Sequence, residues 1–493
     1  MALNRRQIAA RARGGCVVNQ SGGWVTAFSD SGATVGGTGT LDLKYNSGPT
    51  CTNVYNLNGG VLTIPQIISS AATGTRTFNF NGGTLRAAAT QAAFINLGAG
   101  AARANVRGGG AIIDSNGKDV TVAQPLLHSN IDGDAPADGG LAKVGAGALT
   151  LAATNTYSGA TTVSSGTLTL SGAGSVNGSS GITVSGAGAK FLQLSTVAVT
   201  PAILLTQGTL DGTNGVGAVT VGNGTGGVVV NGNGGLRPLT AASLAFGGSA
   251  TVNIRTDGTA PGLVVSGALS TAPGSGTVTL NVPSGPAPWV NGVTYNLIKF
   301  GSFGGSVTDF AKGAISGLGA RQSATLGVDS VNGYITLTIG GDMPYWTGEA
   351  GADWTTNVVA APKNWRLNTA GTAVDFLTDD AVVFDDRAVG NTTVSVAENV
   401  SPVSTVFENA TNAYTLTSAG GFGIAGGYVA KNGTGSVTFV TANTYSGNTT
   451  ISAGTLEITR PDALGTGAVT NNGTLKLAAS ADFALANAVA GTG

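Results

Sequence analysis

The sequence predicts an all-β protein folded as a parallel β-helix, a solenoid in which each coil stacks on the coil before it. Composition, a glycine spacing and a long internal repeat predict this fold. The chain of 493 residues contains 81 glycines and only 10% charged residues. Threonine, valine and isoleucine favour strands, and glycine at this frequency marks turns. Such a chain covers its surface with hydroxyls, amides and backbone groups, and a solenoid of this length needs no single central core.

A long segment occurs twice in the chain. Ala142 to Leu170 reads AKVGAGALTLAATNTYSGATTVSSGTLTL, and Ala430 to Ile458 reads AKNGTGSVTFVTANTYSGNTTISAGTLEI. About 16 of the 29 positions are identical without a gap, which chance does not produce. The repeated unit is therefore a structural module.

A shorter spacing runs inside each copy. Gly147 and Gly166 lie 19 residues apart, and Gly435, Gly454 and Gly473 keep the same spacing. Looser copies of this glycine-plus-strand element begin at Gly39, Gly60, Gly83, Gly208 and Gly276. A spacing of about 19 to 23 residues is typical of one coil of a parallel β-helix.

One coil can be assigned from its residues. Gly166 is expected at a corner with positive φ, after which Leu168 and Leu170 point inward while Thr167 and Thr169 point outward. Stacked coils would then pair each strand with the one above and line up the aliphatic side chains inside.

The rest of the coil follows in order. Asn155 to Gly159 (NTYSG) is expected to be a turn, in which Asn155 satisfies backbone groups and Gly159 provides a free corner. Residues 161–163 form the second strand, and residues 164–166 turn the chain back. Tyr157 and Tyr445 could serve a binding site, but packing at the edge of the core is the favoured interpretation.

The stretches Lys143 to Leu168 and Lys431 to Leu456 resemble the autotransporter-associated β-strand repeat nearly throughout. Residues 56–63, 78–87 and 109–128 resemble other parts of the large surface proteins that carry it. The resemblance implies a right-handed β-helical passenger, extracellular or at the cell surface in association with the outer membrane. It implies a non-catalytic adhesin or extracellular structural fibre, whose partners would be a host, surface or matrix polysaccharide or protein.

The chain is expected to divide into five regions. Residues 1–15 form a basic segment or short cap, and residues 16–194 form a β-helix block with the first full repeat. Residues 195–341 form an irregular β region, either further β-helix or a sandwich-like insertion, with a short helix at Phe310 to Leu318. Residues 342–427 form a tryptophan- and aspartate-rich segment that continues into β-helix. Residues 428–493 hold the second full repeat and the start of another.

Two kinds of residue could form a binding site. Trp346, Trp354 and Trp365 could stack on sugars, although plugging the start of a helical block is favoured. The acidic residues could hold calcium, but their spacing fits no standard loop, so solvated turn carboxylates are favoured. These residues are Asp132, Asp134, Asp138, Asp379, Asp380, Asp385 and Asp386.

An enzyme is not expected. A polysaccharide-binding or polysaccharide-degrading β-helix is the alternative, but the paired carboxylates or calcium site with a basic neighbour that such an enzyme needs are not evident. The single histidine, His128, follows a strand-like run with no serine or cysteine nucleophile motif near it. No catalytic residue, cofactor or metal ligand is therefore assigned.

The formal net charge of −1 excludes an electrostatic attraction to nucleic acid or anionic lipid. No apolar run is long enough for a membrane helix.

Uncapped edge strands would favour end-to-end association. Arg5 and Arg6 stand in a stretch without the apolar core of a signal peptide, so a cap is preferred. Cys16 and Cys51 could pair in an exported protein or stay free.

Overall fold

The computed structural model describes residues 15–26, 40–43, 52–69, 74–98, 100–222, 226–272, 277–286, 288–478 and 484–493. The predicted N-terminal cap and the pairing of Cys16 with Cys51 lie outside the described residues.

The first part of the chain is a run of strands, which we number in chain order. They are β1 (Gly15–Thr26), β2 (Leu41–Asp42), β3 (Thr52–Ile64), β4 (Ile67–Ile68), β5 (Thr75–Phe80), β6 (Thr84–Ala87), β7 (Gln91–Asn96), β8 (Ala102–Val106), β9 (Ala111–Asp114), β10 (Val120–Val122), β11 (Leu126–His128), β12 (Leu141–Val144), β13 (Ala148–Leu151), β14 (Thr161–Val163), β15 (Thr167–Leu170), β16 (Ile182–Val184), β17 (Lys190–Gln193), β18 (Ile203–Leu205), β19 (Thr209–Gly212), β20 (Gly215–Val221), β21 (Val228–Asn231), β22 (Leu239–Phe246), β23 (Ala250–Arg255), β24 (Leu263–Thr271), β25 (Val278–Ser284), β26 (Thr294–Gly304), β27 (Phe310–Ile315), β28 (Gln322–Asp329) and β29 (Tyr334–Gly341). Short 3₁₀ turns occupy Gly232–Gly234 and Val307–Asp309.

These strands form two long sheets with nearly all pairings parallel. From β12 to β27 successive strands alternate between a sheet of 17 described strands and a sheet of 12. Strand β12 pairs with β14, and β13 with β15, so each strand lies beside the equivalent strand of the next coil. The third side of these coils carries turns, with an isolated parallel bridge between Thr154 and Ser175. The predicted parallel β-helix is confirmed.

The aliphatic interior is the predicted one. Leu149, Leu168 and Phe191 stand in register on three successive strands and are all fully buried. Thr169 was predicted to face solvent, but it is only 9% exposed. It lies between Thr150 and Leu192 in the outer row, and parallel stacking lets the larger leucine shield the small threonine.

The corner glycines act in two ways. Gly166 has φ +65°, as predicted for a sharp turn. Gly159 has no positive φ, so the predicted free corner is wrong there. A β-carbon at Gly159 would lie 2.3 Å from the backbone nitrogen of Gly140, so close approach of two coils is what requires a glycine.

The region 195–341 continues the solenoid and then ends it. The expected helix at residues 310–318 is wrong, because Phe310–Ile315 is strand β27, which adds to β25 in parallel. The available edge of β25 favours a strand, and Gly313 weakens a helix. Strands β28 and β29 then form an antiparallel hairpin, and β29 pairs antiparallel with β26.

The second part of the chain repeats the architecture. Its strands are β30 (Pro344–Trp346), β31 (Asp353–Trp354), β32 (Trp365–Leu367), β33 (Ala373–Val374), β34 (Ala381–Phe384), β35 (Thr393–Val396), β36 (Ser404–Phe407), β37 (Tyr414–Thr417), β38 (Tyr428–Lys431), β39 (Ser436–Phe439), β40 (Thr449–Ile451), β41 (Thr455–Ile458), β42 (Val469–Asn471), β43 (Thr474–Leu477) and β44 (Val489–Ala490). They form a sheet of nine described strands and a sheet of six around a separate buried core.

An ion pair connects the two solenoid segments. Arg321, just before β28, donates through Nε to Asp380 at 2.9 Å and through Nη2 to the carbonyl oxygen of Asp375 at 2.7 Å. Ala320 N–H also donates to the carbonyl oxygen of Asp379 at 2.8 Å. The end of the first segment is thus bonded to the start of the second. Within the described residues, the chain contains no helix of the length and apolarity needed to cross a membrane.

Candidate functional site

Each repeat copy buries a lysine. The Lys143 side chain is fully buried, and its ammonium donates to the carbonyl oxygens of Val144 at 2.9 Å, Gly145 at 2.6 Å and Ser165 at 3.0 Å. These oxygens belong to the corners of two successive coils, so the ammonium bridges them. Burial lowers the pKa of Lys143 to about 8, against a smaller opposite effect from the charge of Asp114.

Lys431 occupies the same place in the second copy. It is fully buried, donates to the carbonyl oxygen of Gly433 and lies 3.5 Å from that of Ala453. Burial lowers its pKa as well. The arrangement is thus a property of the repeat. The sequence places both lysines in the motif but does not assign them this role.

The asparagine of NTYSG connects three coils. The Asn155 side chain accepts from Leu126 N–H at 2.9 Å and donates to the carbonyl oxygen of Ser175 at 2.9 Å. Asn443 repeats this with Ile424 N–H at 2.8 Å and the carbonyl oxygen of Ala463 at 2.6 Å. The turn side has few strand pairings, so these amides supply the missing hydrogen bonds between coils.

Both tyrosines of the repeat are core residues. Tyr157 and Tyr445 are buried, and their hydroxyls lie 2.8 and 2.7 Å from the Oγ1 atoms of Thr161 and Thr449. Burial raises the pKa of each phenol, more strongly than the threonine bond lowers it. Neither ring is available to a ligand, in agreement with the packing interpretation.

The main cluster of chemically versatile side chains surrounds His128. Its Nδ1 lies 2.7 Å from Asp138 Oδ2 and 3.4 Å from Ser158 Oγ. Asp138 is 10 residues and Ser158 is 30 residues along the chain, so neighbouring coils bring them together. The sequence shows no serine nucleophile motif near His128, and the structure brings Ser158 to it from 30 residues away. Ser158 lies 30 residues on, beyond the 19 to 23 residues that the sequence predicts for one coil, so that spacing could not have found it.

The geometry is not that of a serine hydrolase. Catalysis needs the serine at one imidazole nitrogen and the aspartate at the other. Here both approach Nδ1, and Ser158 Oγ also lies 3.2 Å from Asp138 Oδ2 and accepts from Asp138 N–H at 3.0 Å. The imidazole is therefore not placed to take a proton from Ser158 and pass it to a leaving group.

Asp138 instead holds backbone groups of two coils. It accepts from the N–H groups of Gly140 at 2.9 Å, Ser158 at 2.7 Å and Gly159 at 2.8 Å. Burial on its own would raise the pKa of Asp138, but the bonds from His128 and these N–H groups outweigh burial and lower the pKa. The Asp138 side chain is 1% exposed, so the expectation of a solvated carboxylate is wrong here, and it serves as an internal anion for the turn.

The other two acidic residues of this loop, Asp134 and Asp132, have different surroundings. Asp134 receives Arg107 Nη2 at 2.6 Å and Ser129 Oγ at 2.5 Å, and the bond from Arg107 is the main cause of its lowered pKa. Asp132 is exposed. Among the described residues, no group of three or more histidine, cysteine, aspartate or glutamate side chains could hold a metal ion.

Acidic residues of the second segment also form hydrogen bonds and ion pairs within the chain. Asp386 accepts from the N–H groups of residues 410–412, the shortest at 2.8 Å, and Asp385 pairs with Arg387 at 2.5 Å. Asp379 holds φ +65° in a turn. Asp380 is fully buried against Arg321, so the expectation of a solvated carboxylate is wrong there. Burial raises the pKa of Asp380.

The tryptophans plug the start of the second segment. Trp346, Trp354 and Trp365 are at most 2% exposed. Trp365 packs edge to face against the other two, with ring centroids 5.1 and 5.5 Å away. The packing interpretation agrees with this burial, and no sugar-stacking platform forms from these rings.

Comparison with known proteins agrees with the repeat geometry. The passenger-associated-transport-repeat family matches residues 141–170 and 429–458, the two segments that hold the buried lysine, asparagine and tyrosine. No curated protein and no solved structure matches the chain. The chain therefore carries two copies of the passenger-associated-transport repeat, one in each solenoid segment of a parallel β-helix.

Proposed function

We propose that this chain is a non-catalytic passenger, secreted or displayed at the cell surface, which acts as an adhesin or extracellular structural rod. The proposal rests on the burial and hydrogen bonding of the repeat's polar side chains. In both copies the lysine, asparagine and tyrosine are buried, and the lysine and asparagine bond between coils. The repeat thus builds length and rigidity, and contact with partners falls to the outer rows of the coils.

Those outer rows are polar and carry little charge. Thr162 and Thr183 stand in register on β14 and β16 and are partly exposed. Thr450 and Thr470 stand in register on β40 and β42 in the second segment. Leu204 follows Thr183 in register, so hydroxyl and apolar side chains are mixed along that row. Such a surface with few charges suits short-range contact with a polysaccharide or protein surface and does not attract a partner over long distance.

Surface display is tested with an antibody against the folded chain on intact cells that produce it. We expect labelling of intact cells and loss of the epitope after external protease. Labelling that requires permeabilised cells would contradict display. Adhesion is tested with beads that carry the purified chain, on matrix proteins and on acidic and neutral polysaccharides, with beads carrying the heat-unfolded chain as the control.

The absence of catalysis has its own test. Incubation with a panel of acidic polysaccharides should release no new chain ends. Turnover that is lost in His128→Ala or Asp134→Asn, with the variants still folded by circular dichroism, would replace the adhesin proposal with a polysaccharide-degrading enzyme.

A further inference from the structure

The hairpin that ends the first solenoid segment closes only part of its large sheet. Strand β26 pairs along residues 298–304 with β24, but only residues 294–299 pair with β29. Beyond this, Phe300 N–H donates to the carbonyl oxygen of Gly333 at 2.9 Å, at the turn of the hairpin. No described strand lies along the far side of residues 302–304. The last strand of the sheet therefore keeps a short open edge.

A groove runs along this open edge. It has a volume of about 650 Å³ and is lined by residues 299–303 of β26 with Gly305, by residues 264–266 of β24 and by the hairpin turn at residues 330–333. Gly301 and Gly305 add no side chain to this lining. Val331, at the tip of the hairpin, is 95% exposed at its rim. The groove thus combines strand backbone with a protruding apolar contact.

Lys299 is the one charged side chain among the groove's lining residues. Its ammonium donates to the carbonyl oxygen of Asn332 and lies 4.5 Å from the centroid of the Tyr334 ring. No carboxylate of the described residues comes within the 4.0 Å of an ion pair with it, although the charge of Lys299 helps to lower the pKa of nearby Asp329. The groove therefore offers a positive charge at one end of the open edge.

We propose that this groove binds an extended peptide segment, which adds as a strand to the open edge of β26 and places a carboxylate at Lys299. An unpaired edge supplies alternating N–H and C=O groups that match a peptide backbone. A sugar would need an open aromatic face, but the Phe303 ring packs against those of Phe300 and Phe310 at 5.5 and 6.1 Å. The proposal does not depend on whether the chain is an adhesin.

A synthetic peptide with the sequence of residues 263–271 is the probe, because this sequence already forms a strand beside β26. Added antiparallel to the open edge, it would place its C-terminal carboxylate at Lys299. One form has a free C-terminal carboxylate and a second is amidated. A third carries Ser266→Pro and Ala268→Pro in the peptide, which removes backbone donors with little change in polarity. Fluorescence anisotropy of the labelled peptides is measured against the purified full chain.

We expect the carboxylate form to bind, the amidated form to bind about threefold to fivefold more weakly, as for a partly exposed ion pair, and the proline form not to bind. Equal binding of the proline form, or no binding of any form, would overturn the proposal. Displacement of the peptide by an oligogalacturonate that binds in its place would assign the groove to acidic sugars and overturn the peptide partner.

Two protein variants locate the binding. Val331→Asp puts a second carboxylate at the groove rim and should weaken the carboxylate peptide, while Val358→Asp, at a site 85% exposed in the other segment, is the matched control. Lys299→Met should remove the difference in affinity between the carboxylate and amidated peptides. The control, Lys118→Met, should keep that difference. Thermal unfolding confirms that each variant is folded. Equal effects of each variant and its control would place binding elsewhere.

Discussion

Gly166 lies directly against the ammonium of Lys143, so that a β-carbon at Gly166 would sit 2.8 Å from Nζ. Gly454 and Lys431 repeat this contact at the same distance. The lysine and the glycine of the next corner thus form one unit. The ammonium bonds to backbone carbonyls of both corners only because the glycine lets the coils approach.

Replacing the glycine should destabilise the coil. In Gly166→Ala the new carbon would lie 2.3 Å from the carbonyl oxygen of Gly147, at a backbone φ of +65°. We expect a loss of about 2 kcal/mol or more in the free energy of unfolding, from the positive φ and the clash together. Chemical denaturation measures it.

Two other glycines separate the effect of a positive φ from the effect of the clash between coils. Gly172 has φ +57° with nothing within 4 Å of a β-carbon, and Gly188 has open space without a positive φ. Gly172→Ala should cost about 1 kcal/mol and Gly188→Ala nearly nothing. Equal losses at Gly166 and Gly172 would contradict the close approach of the coils.

Removing the buried ammonium should also destabilise the repeat. Lys143→Met keeps most of the side-chain volume but leaves the carbonyl oxygens of Val144, Gly145 and Ser165 without this donor. We expect a loss of about 1 to 3 kcal/mol, the cost of removing a charged donor from buried acceptors. Among the described residues, only the Val144 acceptor also receives a backbone bond, from Ser115 N–H. Amide hydrogen exchange around the corner at residues 145–147 should accelerate.

The pH dependence of this loss has a definite sign. The pKa of Lys143 is about 8 in the folded chain and 10.5 is its ordinary value, so between these values the unfolded chain binds more protons. The stability of the wild type should therefore rise with pH in this window relative to Lys143→Met. Lys118→Met is the control. A difference that stays constant from pH 7 to pH 10 would show that the ammonium is not desolvated.

Asp138 should make the first segment sensitive to acid. Its pKa lies below the ordinary 3.8, so it contributes stability above that value, which is lost as the pH falls through the folded pKa. Asp138→Asn should therefore be clearly less stable than the wild type at pH 7, and the difference should shrink below about pH 4. Denaturation at the two pH values measures it. A constant difference would mean that the charge of Asp138 is not what holds the turn.

The ion pair between the segments should contribute far more than an exposed pair. Asp380 is fully buried, so Arg321→Ala leaves a buried carboxylate without its cation, which costs about 3 to 5 kcal/mol in comparable sites. Arg460 and Asp462 form a pair with side chains 40% and 52% exposed, and Arg460→Ala should cost under about 1 kcal/mol. Limited proteolysis between residues 342 and 380 should accelerate only in Arg321→Ala. Similar behaviour of the two variants would mean that the pair does not hold the segments together.

Much of the coil could be predicted from the repeat alone. Leu168 and Leu456 are buried where the alternation puts them, and β14 and β15 have the predicted bounds. This works because strand alternation and glycine corners are local, and each copy of the repeat confirms the other. The strand at Phe310–Ile315 could not be predicted, because its edge partner β25 lies outside any local window.

The order of residues was sufficient to specify a stacked coil with an aliphatic interior, since side-chain periodicity and turn chemistry act between neighbours in the chain. Only the folded molecule decided what the polar residues do. His128, Asp138 and Ser158 meet because stacking brings residues of different coils within bonding distance, and Arg321 reaches Asp380 across 59 positions. Such contacts depend on coil length and on the position of each loop, which the local pattern of residues does not express.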